Sequence, residues 1–140
     1  MIYYQTVDER VAEPICHRIF EEQQTEVFGQ HIPRNAETLS IAAFEDREVI
    51  GVIIARIEYQ AMEITQLAVQ KDHRHKGIGS QLLNEVERLA KEKGVVNVTL
   101  TTQDFQGTSF YEEQGYTIYG QLTDMPRVGE SRIYFYKKLT

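Results

Sequence analysis

The chain has 140 residues with 41% hydrophobic and 26% charged content, a size and balance suited to one globular domain around a single core. Its net charge of −6 argues against a general nucleic-acid binder and leans weakly towards cationic ligands. No apolar run reaches the roughly 18–20 residues of a membrane span, no signal-peptide pattern opens the sequence, and the single cysteine, Cys16, excludes an internal disulfide. A cytoplasmic protein that binds neither membrane nor nucleic acid is therefore expected.

The first element, "IYYQTV" (residues 2–7), is β-branched and aromatic and reads as a strand. From Pro14, a residue suited to a first helical turn, Ile15, Cys16, Ile19, Phe20 and Val27 fall mostly at helical spacing. This puts Cys16 on an apolar face, as a core residue rather than a nucleophile. After a loop around "GQHIPRN", the runs 39–44 and 49–59 flank the polar tip "EDRE" and predict a hairpin. A third strand follows over 62–70. Simple alternation sends Ile64, Gln66 and Ala68 to one face and Glu63, Thr65, Leu67 and Val69 to the other.

The stretch "HRHKGIGSQLL" (residues 73–83) then sets two glycines before the most amphipathic run of the chain. Leu82, Leu83, Val86, Leu89 and Ala90 form one apolar stripe, Glu85, Glu87, Arg88 and Lys91 lie outside it, and Gly94 stands where a left-handed cap ends a helix. A strand over 95–102, a short helix over 107–114 and two strands over 116–120 and 132–139 complete the pattern. The order β-α-β-β-β-α-β-α-β-β predicts a single α/β domain spanning residues 1–140.

A strand leading through glycines into a helix start is a place for an anion. The first helical amides lack partners, the helix dipole is positive there, and glycine lets a ligand approach the backbone. Arg74 and Lys76 add charge and Ser80 a hydroxyl. The ATP-binding pattern fails because Ser80-Gln81 replaces Lys-Ser/Thr after Gly79, and the dinucleotide pattern fails because Leu82 stands where a third glycine is needed. His73 and His75 have no carboxylate at ligand spacing, so a phosphate-bearing ligand without metal is expected.

What does match is Arg-x-x-Gly-x-Gly, formed by Arg74, Gly77 and Gly79 between a strand ending "LAV" and the helix. With "FYEEQGY" (residues 110–116), which is similar to the family pattern "FYEKLGF", and the element order, the chain resembles the GNAT superfamily of N-acetyltransferases over nearly its whole length. The resemblance implies a GNAT-like fold: a mixed central sheet of about seven strands with roughly four helices, splayed open between the strands at 62–70 and 95–102.

It also implies acetyl-CoA as co-substrate and an amine as acceptor. The diphosphate would lie on Arg74, His75, Lys76, Gly77, Ile78, Gly79 and Ser80, and the pantetheine arm along Leu67, Ala68 and Val69. The Leu67 amide would face the developing oxyanion. Tyr111, on the family's tyrosine, would protonate the departing thiolate. Glu63 falls where one branch carries its glutamate, as a base acting directly or through water, as a substrate-binding anion, or as a plain strand-end carboxylate. The family asparagine and alanine before the tyrosine are absent. Gln106 is expected to stand in for the asparagine's cofactor contact, and Ser109 to reach the CoA. The acceptor implied is a primary amine, with a small molecule favoured over a protein lysine or N-terminus, and a homodimer stays open. The competing reading is a non-catalytic acyl-CoA-binding module, which would need neither Tyr111 nor Glu63.

Overall fold

The computed structural model describes all 140 residues, which form two units, Met1–Arg34 and Asn35–Thr140. In the first unit, helix α1 spans Glu9–Phe28. Asp8 starts it, its carboxylate accepting the Arg10 amide at 2.8 Å, and Gly29 ends it in the left-handed region at φ 73°. Because Asp8 supplies the cap, the helix begins well before Pro14, which lies inside it rather than in its first turn. Cys16 is a free, exposed thiol and not the core residue its helical spacing suggests. Residues 2–7 form no strand. A β-prone sequence needs a ladder partner, and none pairs with this segment.

The second unit is built on a six-stranded sheet of β1 (Glu37–Glu45), β2 (Glu48–Glu58), β3 (Ala61–Val69), β4 (Asn97–Gln103), β5 (Thr117–Thr123) and β6 (Ser131–Lys138). Their order is β1-β2-β3-β4-β6-β5. Only β3 and β4 run parallel, and the crossover such a pair requires is helix α2 (Ile78–Glu92). A 3₁₀ turn at Lys71–His73 leads into it, and the short helix α3 (Thr108–Glu113) joins β4 to β5. The GNAT-like α/β fold thus holds with six strands and three α-helices instead of about seven and four; the missing strand is the unpaired N-terminal one.

Helix α2 packs on β1, β2 and β3. Leu82, Leu83, Val86 and Ala90 are buried against Ile53, Ala55, Met62, Ile64 and Phe135. Fully burying a leucine of this stripe contributes about 1.5–3 kcal/mol, which outweighs the weak intrinsic stability of a 15-residue helix. One member of the polar set behaves differently from its sequence pattern. Glu87 is buried, because β6 and the segment after α3 approach α2 from the side and supply partners for its carboxylate.

The feature that opens the sheet is a β-bulge. Ile54 pairs with Gln66 and the next residue, Ala55, with Ile64, so Thr65 is an extra residue in β3. Its hydroxyl bonds the Ile54 carbonyl at 3.1 Å. The alternation inverts there: Met62 and Ile64 are buried, Leu67 and Val69 are half-buried, and Gln66 and Ala68 are exposed. Ile64 therefore does not share a face with Gln66 and Ala68. A bulge also bends its strand. Pairing between β3 and β4 is confined to Ala61–Glu63 against Asn97–Thr99, and beyond that the strands part.

Candidate active site

A cavity of about 990 Å³ fills the opening between β3 and β4. One wall is β3 from Ile64 to Val69, and the facing wall is Leu100, Thr101 and Thr102 of β4. One end is the loop from His73 to His75 and the start of α2 from Gly77 to Ser80; Gln106, Gly107, Phe110 and Tyr111 close the remaining side.

The β3 wall offers backbone as well as side chains. The Gln70 amide bonds the Ile50 carbonyl at 2.8 Å. Bonded and non-bonded pairs alternate along an antiparallel ladder, so Ala68–Val52 is a bonded pair, while Leu67–Ile53 and Val69–Gly51 are not. The N–H and C=O of Leu67 and Val69 consequently point away from β2, to the side that β4 has vacated. An independent contact agrees: Arg74 Nε reaches the Val69 carbonyl from that side at 3.1 Å. This bond fixes the guanidinium at the cavity end and leaves its two terminal nitrogens for an anion.

At the same end, Gly77 takes φ 80°, a conformation costly for any residue with a side chain. The first amide of α2 to find a helical partner is that of Gln81, which bonds the Gly77 carbonyl at 3.0 Å. The amides of Ile78, Gly79 and Ser80 precede it and are the unpartnered donors of the first turn. At Gly79 a Cβ would make only ordinary contact, 3.4 Å from the Phe110 ring, so packing does not demand glycine there; its absence leaves the backbone bare towards the cavity. Ser80 Oγ accepts the Gln114 side-chain amide at 2.8 Å.

Tyr111 is set by three rings. Phe110 and Tyr116 meet it edge-on at centroid distances of 5.0 and 6.0 Å, and Phe135 lies tilted at 5.6 Å. Burial raises its pKa above the ordinary phenol value, so the hydroxyl keeps its proton at neutral pH. Gln106 Oε1 accepts the Gln103 amide at 2.8 Å and so holds the turn that leaves β4.

Leu67, Ala68, Val69, Arg74, His75, Gly77, Ile78, Gly79, Ser80, Gln106 and Tyr111 all line this one cavity. Three other residues singled out in the sequence stand apart from it. Lys76 and Ser109 are exposed beside it, and Glu63 is exposed on β3 one residue before the cavity begins, where β3 and β4 still pair. Conversely, sequence patterns did not point to Thr65, Gln66 or the β4 wall. Thr102 lines the cavity with a hydroxyl that is buried and without a protein partner, as is His73 Nδ1. The other His73 ring nitrogen, Nε2, lies 3.4 Å from Glu45.

The arrangement suits a long ligand with an anionic end: unpartnered amides and Arg74 at one end, free strand backbone along one wall, and a protonated phenol on another. Comparison with known proteins bears on the family. A spermidine N(1)-acetyltransferase of Thermoplasma acidophilum is 34% identical over 86 residues, 60% of this chain and 53% of the relative. A blasticidin-S acetyltransferase of Streptomyces morookaense is 30% identical over 61% of this chain and 63% of its own length. The chain thus matches less than two thirds of either curated relative. An acetyltransferase of Bacillus cereus ATCC 14579, solved by crystallography, superposes with a TM-score of 0.84 at 28% identity, covering 98% of this chain and 97% of that one. Residues 5–116, most of the sequence, match the acetyltransferase (GNAT) family, and the chain belongs to that family.

Proposed function

We propose that the protein is an acetyl-CoA-dependent N-acetyltransferase that moves the acetyl group directly to the primary amine of a small cationic molecule. The observation that carries this reading is the opening between β3 and β4, with the unpartnered α2 amides and Arg74 at one end and Tyr111 on its wall. The residues fit the donor. The amides of Ile78, Gly79 and Ser80 and the Arg74 guanidinium suit a diphosphate. The outward backbone groups of Leu67 and Val69 can pair with an extended amide-bearing arm in the manner of an added strand.

In the reaction, the amine nitrogen attacks the thioester carbonyl carbon and a C–N bond forms. The Leu67 N–H stabilises the oxygen as it gains negative charge. The C–S bond then breaks, and the sulfur takes the Tyr111 hydroxyl proton, which solvent replaces. Before the attack the ammonium gives up one proton through water towards Glu63, whose carboxylate is too far along β3 to line the cavity, and this frees the nitrogen lone pair. A second nitrogen proton passes to water as the amide forms. Net charge favours a cationic acceptor, and the two curated relatives are named for acceptors of this kind, spermidine and blasticidin S.

The test is release of free CoA thiol from acetyl-CoA with spermidine, blasticidin S and a lysine peptide as acceptors, for wild type and Tyr111→Phe. Small-amine-dependent release that falls about 10²-fold in the variant is expected. Thioester turnover that no amine stimulates would remove the transferase reading.

A further inference from the structure

Ser80 and Glu87 stand seven residues apart on α2, two turns along one face of the helix. Both are linked to Gln114, Ser80 directly and Glu87 through Lys137. Gln114 Nε2 donates to Ser80 Oγ at 2.8 Å. The Gln114 carbonyl accepts Lys137 Nζ at 2.9 Å, and that same nitrogen donates to Glu87 Oε1 at 2.7 Å. Glu87 Oε2 in turn accepts the Tyr116 hydroxyl at 2.8 Å. The result is a closed circuit from the first turn of α2, across the end of α3, through β6, and back into α2. The Gln114 backbone N–H donates to the carbonyls of Phe110 and Tyr111, each at 3.1 Å, so the backbone of residue 114 has little freedom.

A serine hydroxyl has one proton and two lone pairs. With the Gln114 amide donating to the oxygen, the proton is left for another acceptor. Ser80 is one of the residues that line the cavity, in the first turn of α2 among the unpartnered amides and at the positive end of the helix. We propose that Gln114 is a positioning residue that holds the Ser80 hydroxyl as a hydrogen-bond donor to the diphosphate of the acyl donor. This rests on the reading of the cavity given above. The assignment goes beyond the glycine loop itself, since it makes part of the anion site depend on a side chain 34 residues further along the chain.

The experiment is calorimetric titration with CoA and with pantetheine, which lacks the diphosphate, for wild type, Ser80→Ala, Gln114→Glu and the double variant. A carboxylate at 114 accepts from Ser80 and turns its proton away from the ligand. Both single variants are expected to weaken CoA about 10-fold, in line with loss of one charge-assisted hydrogen bond, and to leave pantetheine unchanged. In the double variant, Gln114→Glu is expected to add much less than it costs alone, because the hydroxyl it redirects is gone. Thermal unfolding of each variant checks that the fold is intact, and Ser80→Ala, which removes only one oxygen, carries the test if Gln114→Glu unfolds. A Ser80→Ala variant that binds CoA as wild type does, or fully additive losses in the double variant, would overturn the assignment while leaving the cavity reading intact. Wild type that binds no CoA would overturn both.

Discussion

Lys137→Met removes the cation of the circuit and leaves Glu87 facing a thioether. The Glu87 side chain is 11% exposed and that of Lys137 25%. Removing one partner of a buried pair costs about 3–5 kcal/mol, because the remaining charge loses its compensation. The quarter-exposed lysine places this pair at the lower end, about 3 kcal/mol. The Tyr116 hydroxyl still serves one carboxylate oxygen, but the Gln114 carbonyl also loses its donor. Urea unfolding at pH 7 reads this directly, and a loss of that size lowers the midpoint of thermal unfolding by about 10 °C for a chain of this length. Adding Glu87→Gln to Lys137→Met should recover most of it, since the amide keeps an acceptor for Tyr116 and leaves no buried charge. A Lys137→Met variant within about 0.5 kcal/mol of wild type would refute the reasoning, and the contact would be an ordinary solvated ion pair.

Gly77→Ala should cost about 1 kcal/mol in the same urea measurement through its positive φ alone, because no atom lies within 4 Å of the added methyl. Gly79→Ala meets only ordinary contact with Phe110 and is expected to leave stability unchanged within about 0.5 kcal/mol. Tyr111 and Tyr116 both have raised pKa values, the first through burial and the second through burial and then the Glu87 carboxylate. The folded state holds their protons more tightly than the unfolded chain does. Their contribution is therefore fully present below about pH 10 and lost as pH rises beyond it. Tyr116→Phe should make the fall in stability above pH 10 shallower in pH-resolved unfolding. Glu63→Gln, at an exposed strand position, should lower kcat about 10²-fold at neutral pH without moving KM for acetyl-CoA; an unchanged kcat assigns the proton to water alone.

Much of the site was legible because its signals are local. Gly77 must be glycine for its φ, Arg74 lies three residues before it, and α2 announces itself by a stripe with one period. The hairpin of β1 and β2 and the Tyr111 segment are local patterns too. What escaped depends on residues distant in sequence. The Thr65 bulge shifts the phase of β3, whereas alternation assumes a constant phase. Glu87 looks like a solvated helix charge until Tyr116 and Lys137, 29 and 50 residues onward, close on it. Thr102 carries no signal of its own, since it reaches the cavity only because β3 has bent away from β4. The N-terminal segment has strand composition and no partner, and its strand was lost for that reason.

The central claim concerns where the donor lies, and a crystal structure with CoA tests it most directly. The account predicts diphosphate oxygens within hydrogen-bond distance of the Ile78, Gly79 and Ser80 amides, with the pantetheine arm along Leu67 and Val69 and its sulfur near the Tyr111 hydroxyl. CoA bound away from the opening between β3 and β4, or with its sulfur remote from Tyr111, would contradict it.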